Sequence, residues 1–226
     1  MKSPTLDRST TLPQLLKFHY EHNADQTLYV YSEDGKANLT EIKHLEFGRA
    51  CHRAAHIIRP HRSGPDREVV AIIAQVDTIV YTAVVAGLME AGLIPLLISP
   101  RNTPAAIVNL LQKTGAHRVL STQTTLQELL RNVKAELTTS TDTTHNVTFE
   151  EIPGLYQLFP KLGTEISRDP FLPYPPSSGL GPNDTAVILH SSGSTGFPKP
   201  ISITYECIIL SWASSGESFS ILLWFS

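Results

Sequence analysis

The stretch "VVAIIAQVDTIVYTAVVAGLM", Val69 to Met89, decides the fold. It has the length of a membrane span, roughly 20 residues. Gln75 and Asp77 stand in its middle, however, where an acid in hydrocarbon is costly. A strand buried on both faces (Val69–Ala74), a turn at Asp77 and a buried helix (Thr78–Ala91) use the same residues without that cost. The stretch therefore reads as a β–turn–α unit, and no membrane is expected as a partner.

Working outward, the same alternation continues. Leu93–Ile98 is the next expected strand. "TPAAIVNLLQKTGA" is a well-punctuated helix, with Thr103 as cap, Pro104 in the first turn and Gly115 past the end. "HRVLS" reads as a strand, Thr124–Leu137 as a helix and Val147–Ile152 as a strand. Towards the start, Ser9 or Thr10 is expected to cap a helix that takes Pro13 in its first turn and runs to about His22. Thr27–Ser32 alternates like a strand, and Asp34-Gly35 offers a tight turn. Thr40 is expected to begin a long helix, because Ile42, Leu45, Cys51, Ala54, Ala55 and Ile58 recur at helical spacing before Pro60. Strands alternating with helices imply right-handed crossovers and a mainly parallel sheet flanked by helices, an α/β fold.

Composition narrows the function classes. The 226 residues are 41% apolar and 17% charged with a net charge of −3, enough for a packed core but with no basic field for nucleic acid. The two cysteines, Cys51 and Cys207, make neither a disulfide framework nor a metal spacing. The opening "MKSPTLDRST" has no apolar run, so a cytoplasmic location is expected. His52 and His56 are four apart on the long helix, but no third ligand stands nearby, and no metal site is assigned to them.

A proline-, glycine- and serine-rich connection, Arg168–Asp184, leads into the strand "TAVILH", Thr185–His190. That strand delivers the chain into "HSSGSTGFPKP", His190 to Pro200, at the carboxyl end where open α/β sheets bind ligands. Gly193 and Gly196 let the backbone approach a bulky anion, and successive N–H groups then make a concave nest. Ser191, Ser192, Ser194 and Thr195 add hydroxyl donors and Lys199 a point charge. Hydrogen bonds to a charged group contribute roughly 1.5–3 kcal/mol each, so three or four would hold a triphosphate. This is not the P-loop of nucleotide triphosphatases, because Pro198 stands five residues after Gly193 and Pro200 follows Lys199. Nor is it a nucleophile elbow, since no Gly-x-Ser-x-Gly occurs here. "GLGPND", from Gly179, precedes a strand where a dinucleotide fingerprint needs a helix.

The order Ser-Ser-Gly-Ser-Thr-Gly-Phe-Pro-Lys after a buried strand resembles the phosphate-binding signature of the AMP-forming, adenylate-forming enzyme superfamily. "NLTEIKHLEFGRACHRAA", Asn38 to Ala55, is similar to an early helix of that family, and "VVAGLMEAGLIPLLISPRNTPAAI", Val84 to Ile107, to its second core motif. The likeness covers about Leu12 to Tyr205, a partial adenylation domain of residues 12–205, and leaves 206–226 as an atypical tail. It implies that ATP, with Mg²⁺, and a carboxylic acid give an acyl-adenylate that is passed to a thiol, either coenzyme A or the phosphopantetheine of a carrier domain. It also implies that Ser191, Ser192, Gly193, Ser194, Thr195, Gly196 and Lys199 grip the β- and γ-phosphates. No catalytic residue is assigned. Pro200, where most relatives place glycine, stiffens the exit and resembles fungal multidomain reductases of the aminoadipate-reductase kind. Nothing after Lys199 matches the family's acidic metal-binding segment, its ribose-binding aspartate or its lid lysine, so the chain is expected to lack parts that catalysis needs. A non-catalytic remnant or interaction module is the alternative. A kinase-like phosphate domain would require a further metal-binding acid near the loop, and the sequence supplies no clear candidate.

Overall fold

The computed structural model describes residues 2–4, 7, 9–32, 39–139, 146–176, 179–191 and 197–215, with the side chains of 212–215 excepted. A two-stranded antiparallel ribbon pairs β1 (Thr27–Ser32) with β2 (Leu39–Lys43). The main sheet takes β3 (Val69–Ile73), β4 (Ile94–Leu97), β5 (Arg118–Ser121), β6 (Thr148–Glu151), β7 (Thr185–Ser191) and β8 (Lys199–Thr204), in the order β6-β5-β3-β4-β7-β8. All its pairings are parallel except the last, β7 with β8. The helices are α1 (Leu12–His22), α2 (His44–Ile58), α3 (Thr78–Glu90), α4 (Pro104–Thr114), α5 (Gln127–Thr139), α6 (Leu155–Leu158) and α7 (Tyr205–Ser215).

The sheet separates two apolar cores. Val70 and Ile72 of β3 point into the first, with Phe47, Ala54, Val84 and Leu88. Ala71 and Ile73 point into the second, with Ile107, Leu111, Leu130 and Val133. Helix α3 is apolar all round because both its sides are covered, by the sheet and by α2, and this explains why its sequence imitates a membrane span. Among the described residues no helix is long and apolar enough to cross a membrane. A Cβ placed on Gly87 would lie 2.5 Å from Ala54 Cβ and 2.8 Å from the Cys51 carbonyl, so α2 and α3 approach through glycine and alanine.

Two expectations are corrected. The first helix is capped at Thr11, whose backbone N–H donates to Gln14 Oε1 at 2.8 Å; neither Ser9 nor Thr10 is the cap. Residues 40–43, expected to open the long helix, belong to β2: Thr40 pairs with Tyr31 and Ile42 with Tyr29. Five alternating residues with a β1 partner prefer extension, and helical spacing takes over only at His44. Helix α4 follows its punctuation, with Thr103 Oγ1 accepting from Ala106 N and Gly115 left-handed at φ 64°. The Asp34-Gly35 turn lies outside the described residues.

After β6 the chain crosses α2 as a strap. Glu165, 1% exposed at its side chain, accepts from Arg49 Nη1 at 2.8 Å and from Arg53 Nη1 at 3.0 Å. Arg49 also donates to the carbonyls of Ile166 and Ser167, each at 3.0 Å. Both oxygens of buried Glu46 accept from Gly163 N, at 2.9 and 2.8 Å, and burial still raises the carboxyl's pKa against that bond. Gly163 has φ +86°, and a side chain there would run into Thr40.

Candidate functional site

The five parallel strands β3 to β7 end on one edge of the sheet, and β8 starts there because it runs the other way. Beyond that edge the chain turns away from β4 towards α4 and β5, but away from β7 towards β8. The neighbouring carboxyl ends of β4 and β7 therefore diverge, and such a fork is where doubly wound sheets admit ligands.

Of the seven expected phosphate-binding residues, the structure places two. Ser191 ends β7 and Lys199 begins β8, directly opposed in the ladder. Ser191 is half-buried and Lys199 exposed. Ser192, Gly193, Ser194, Thr195 and Gly196 lie outside the described residues. The exit of the loop is anchored: Pro198 is buried and its carbonyl accepts from Asn109 Nδ2 of α4 at 3.4 Å. Pro200 faces His190 on the outermost strand, where a missing N–H costs little.

His190 closes the fork from β7. Asn102, in the turn after β4, places Nδ2 at 3.3 Å from His190 Nε2 and 3.0 Å from the Ser99 carbonyl. The carbonyl can only accept, which fixes that atom of Asn102 as a donor and His190 Nε2 as an acceptor. Burial lowers the pKa of His190, in keeping with a neutral ring. Arg101, exposed in the same turn, adds a second cation near Lys199's edge. Sequence reading passed over Asn102 and Asn109; the polar run "RNTP" directly after a buried strand was the available signal for the first. Further along the edge, a cavity of about 550 Å³ is lined by Gln75, Val76, Asp77, Val80, Gly154 and Leu155. Asp77 accepts there from the Tyr31 hydroxyl at 3.0 Å instead of capping α3 with its side chain. The chemistry at the fork (a hydroxyl, exposed cations, a neutral imidazole) suits a polyanion. Among the described residues no group of three or more His, Cys, Asp or Glu side chains could hold a metal ion. His52 Nδ1 accepts from Tyr174 N at 3.2 Å, and His56 Nε2 lies 3.3 Å from the Leu172 carbonyl.

The fold is a mostly parallel α/β domain with a fork between β4 and β7 at the carboxyl edge of its sheet. Comparison with known proteins makes this specific: the AMP-binding enzyme family matches residues 19–221, and the chain belongs to that family. Over 208 residues it is 47% identical to the adenylate-forming reductase Nps11 of Serpula lacrymans, covering 91% of this chain and 18% of the relative. It is 30% identical to the non-canonical non-ribosomal peptide synthetase ascB of Acremonium egyptiacum, covering 88% of this chain and again 18% of the relative. The chain thus spans less than a fifth of the length of these relatives. Its backbone resembles O-succinylbenzoate coenzyme A synthetase from Bacillus subtilis solved with AMP, at a TM-score of 0.64 and 16% identity, over 93% of this chain and 47% of that one. At that identity the likeness concerns the fold.

Proposed function

We propose that the chain supplies the triphosphate grip of an enzyme that activates a carboxylate with ATP and passes the acyl group to a thiol. The observation that carries this reading is the opposition of Ser191 and Lys199 at the fork between β4 and β7, with the glycine- and hydroxyl-rich residues 192–196 strung between them. Preorganised donors at that place would stabilise charge developing on departing pyrophosphate. In this reading Ser191, Ser192, Gly193, Ser194, Thr195, Gly196 and Lys199 contact the β- and γ-phosphates. Asn109 holds the loop's exit, and Asn102 fixes the neutral His190 beside it. Bound ATP supplies the electrophilic α-phosphorus. On this reading Mg²⁺ arrives with the triphosphate.

The thiol would be coenzyme A, which the name of the Bacillus subtilis synthetase contains, or a carrier's phosphopantetheine. Residues 12–205 are the adenylation part of this reading, and 206–226 stand outside it. The test is calorimetric titration of the 226-residue chain with ATP and with pyrophosphate. Saturable binding, weakened by Lys199→Ala, is expected; equal binding by wild type and variant would sink the assignment.

A further inference from the structure

A cavity with an aromatic wall lies at the opposite edge of the domain. Helix α3 starts at the carboxyl end of β3 and returns to the amino end of β4, so its last residue, Glu90, stands far from the phosphate fork. There a cavity of about 500 Å³ is enclosed by α1, α2, the end of α3 and the strap. Glu90 borders it with a side chain only 15% exposed. The rings of Tyr20, His52 and Phe171 form one wall, with Tyr20 and His52 centroids 6.0 and 5.4 Å from Phe171.

No lysine or arginine makes a direct ion pair with Glu90, although Arg62 and Lys17, the latter also on the cavity wall, lie near enough to favour its charge. The nearest basic atom, His52 Nδ1 at 3.8 Å, already accepts from Tyr174 N and so bears no proton to offer. Burial holds His52 down at about 4, which keeps the ring neutral. Lys17 faces Glu21, at 3.9 Å. Arg62 is committed to Asp66 and the Pro175 carbonyl, and lies over the Tyr174 ring. Glu90 also ends its helix, where the negative pole disfavours an acid. Burial raises its carboxyl to about 7. A buried carboxylate with no directly paired cation and a wall of rings is half of a recognition site: it lacks a positive charge attached to an apolar body.

We propose that this cavity binds a small amphipathic amine, with its ammonium on the Glu90 carboxylate and its apolar body against Tyr20 and Phe171. The pairing would satisfy the acid with a charge-assisted hydrogen bond, and the space accommodates a ligand of about ten to twenty heavy atoms.

Calorimetric titration of the whole chain at pH 8 with phenethylamine tests this, with 2-phenylethanol as the neutral counterpart. Saturable binding of the amine is expected, at least about tenfold weaker in Glu90→Gln and at least about tenfold weaker for the alcohol. Glu90→Gln should fold at least as well as the wild type, because it removes a buried charge with no directly paired cation. Should that variant fail to fold, Tyr20→Leu carries the test, with several-fold weaker binding expected and unchanged binding counting against the site. No uptake of amine by the wild type up to about 10 mM, or equal affinity for amine and alcohol, overturns the proposal.

Discussion

Lys199 is exposed, so its charge acts on a ligand through partly solvated space and its removal should weaken phosphate binding without abolishing it. For Lys199→Ala, about tenfold weaker pyrophosphate binding is expected, near the lower end of a charge-assisted hydrogen bond. A second residue-scale expectation concerns acid. His44 is 3% exposed and stacks on His19 at 4.7 Å, and burial, with His19 adding to it, lowers its pKa from 6.5 to about 4. The unfolded chain therefore takes up the proton first, and the stability this group contributes above pH 6.5 is lost as pH falls towards 4. Glu90 acts with the opposite sign between 4.5 and about 7, so the comparison to make is wild type against His44→Phe. Urea unfolding between pH 7.5 and 4.5 should show a shallower acid loss in the variant. The proposed phosphate loop stands out in the sequence, because glycine, hydroxyl and lysine in that order suit few tasks. Asn109 is not, since its bond to the Pro198 carbonyl spans 89 positions and leaves no local mark.

At the scale of elements, the α2–α3 contact and the strap carry the sharper tests. Gly87→Ala puts a methyl into Ala54 and the Cys51 carbonyl, and backbone cannot yield as a side-chain tip does. A loss of about 1–3 kcal/mol is expected by chemical denaturation. Glu165→Ala leaves Arg49, 3% exposed, without its counter-charge, and a loss of about 3–5 kcal/mol is expected. Periodicity and caps revealed most elements, as α4 illustrates with Thr103, Pro104 and Gly115 all in their expected roles. Helix α6, a single turn from Leu155 to Leu158, is too short to show a period. β2 was hidden because Ile42 fits both a helix and a strand, and only its pairing with Tyr29 decides between them.

For the whole molecule, the proposed function separates holding a triphosphate from using it. The 226-residue chain is expected to bind ATP yet give no carboxylate-dependent ATP–pyrophosphate exchange, which a radiolabel assay would read directly. Exchange above background would show that the grip needs less help than this reading assumes. The α/β class was legible from the alternation of buried strands and helices. The reach of the strap was not: Glu165 meets Arg49 across 116 positions, and no window of sequence contains both.

The strand order has a consequence for biosynthesis. β4 borders β7, yet β5, β6 and the strap are all translated between them. At roughly 5–20 residues per second, one flank of β4 stays unzipped on the ribosome for several seconds before its neighbour emerges. A nascent chain stalled before Thr185 would offer that bare flank to chaperones, and its dependence on them should end once β7 has cleared the exit tunnel.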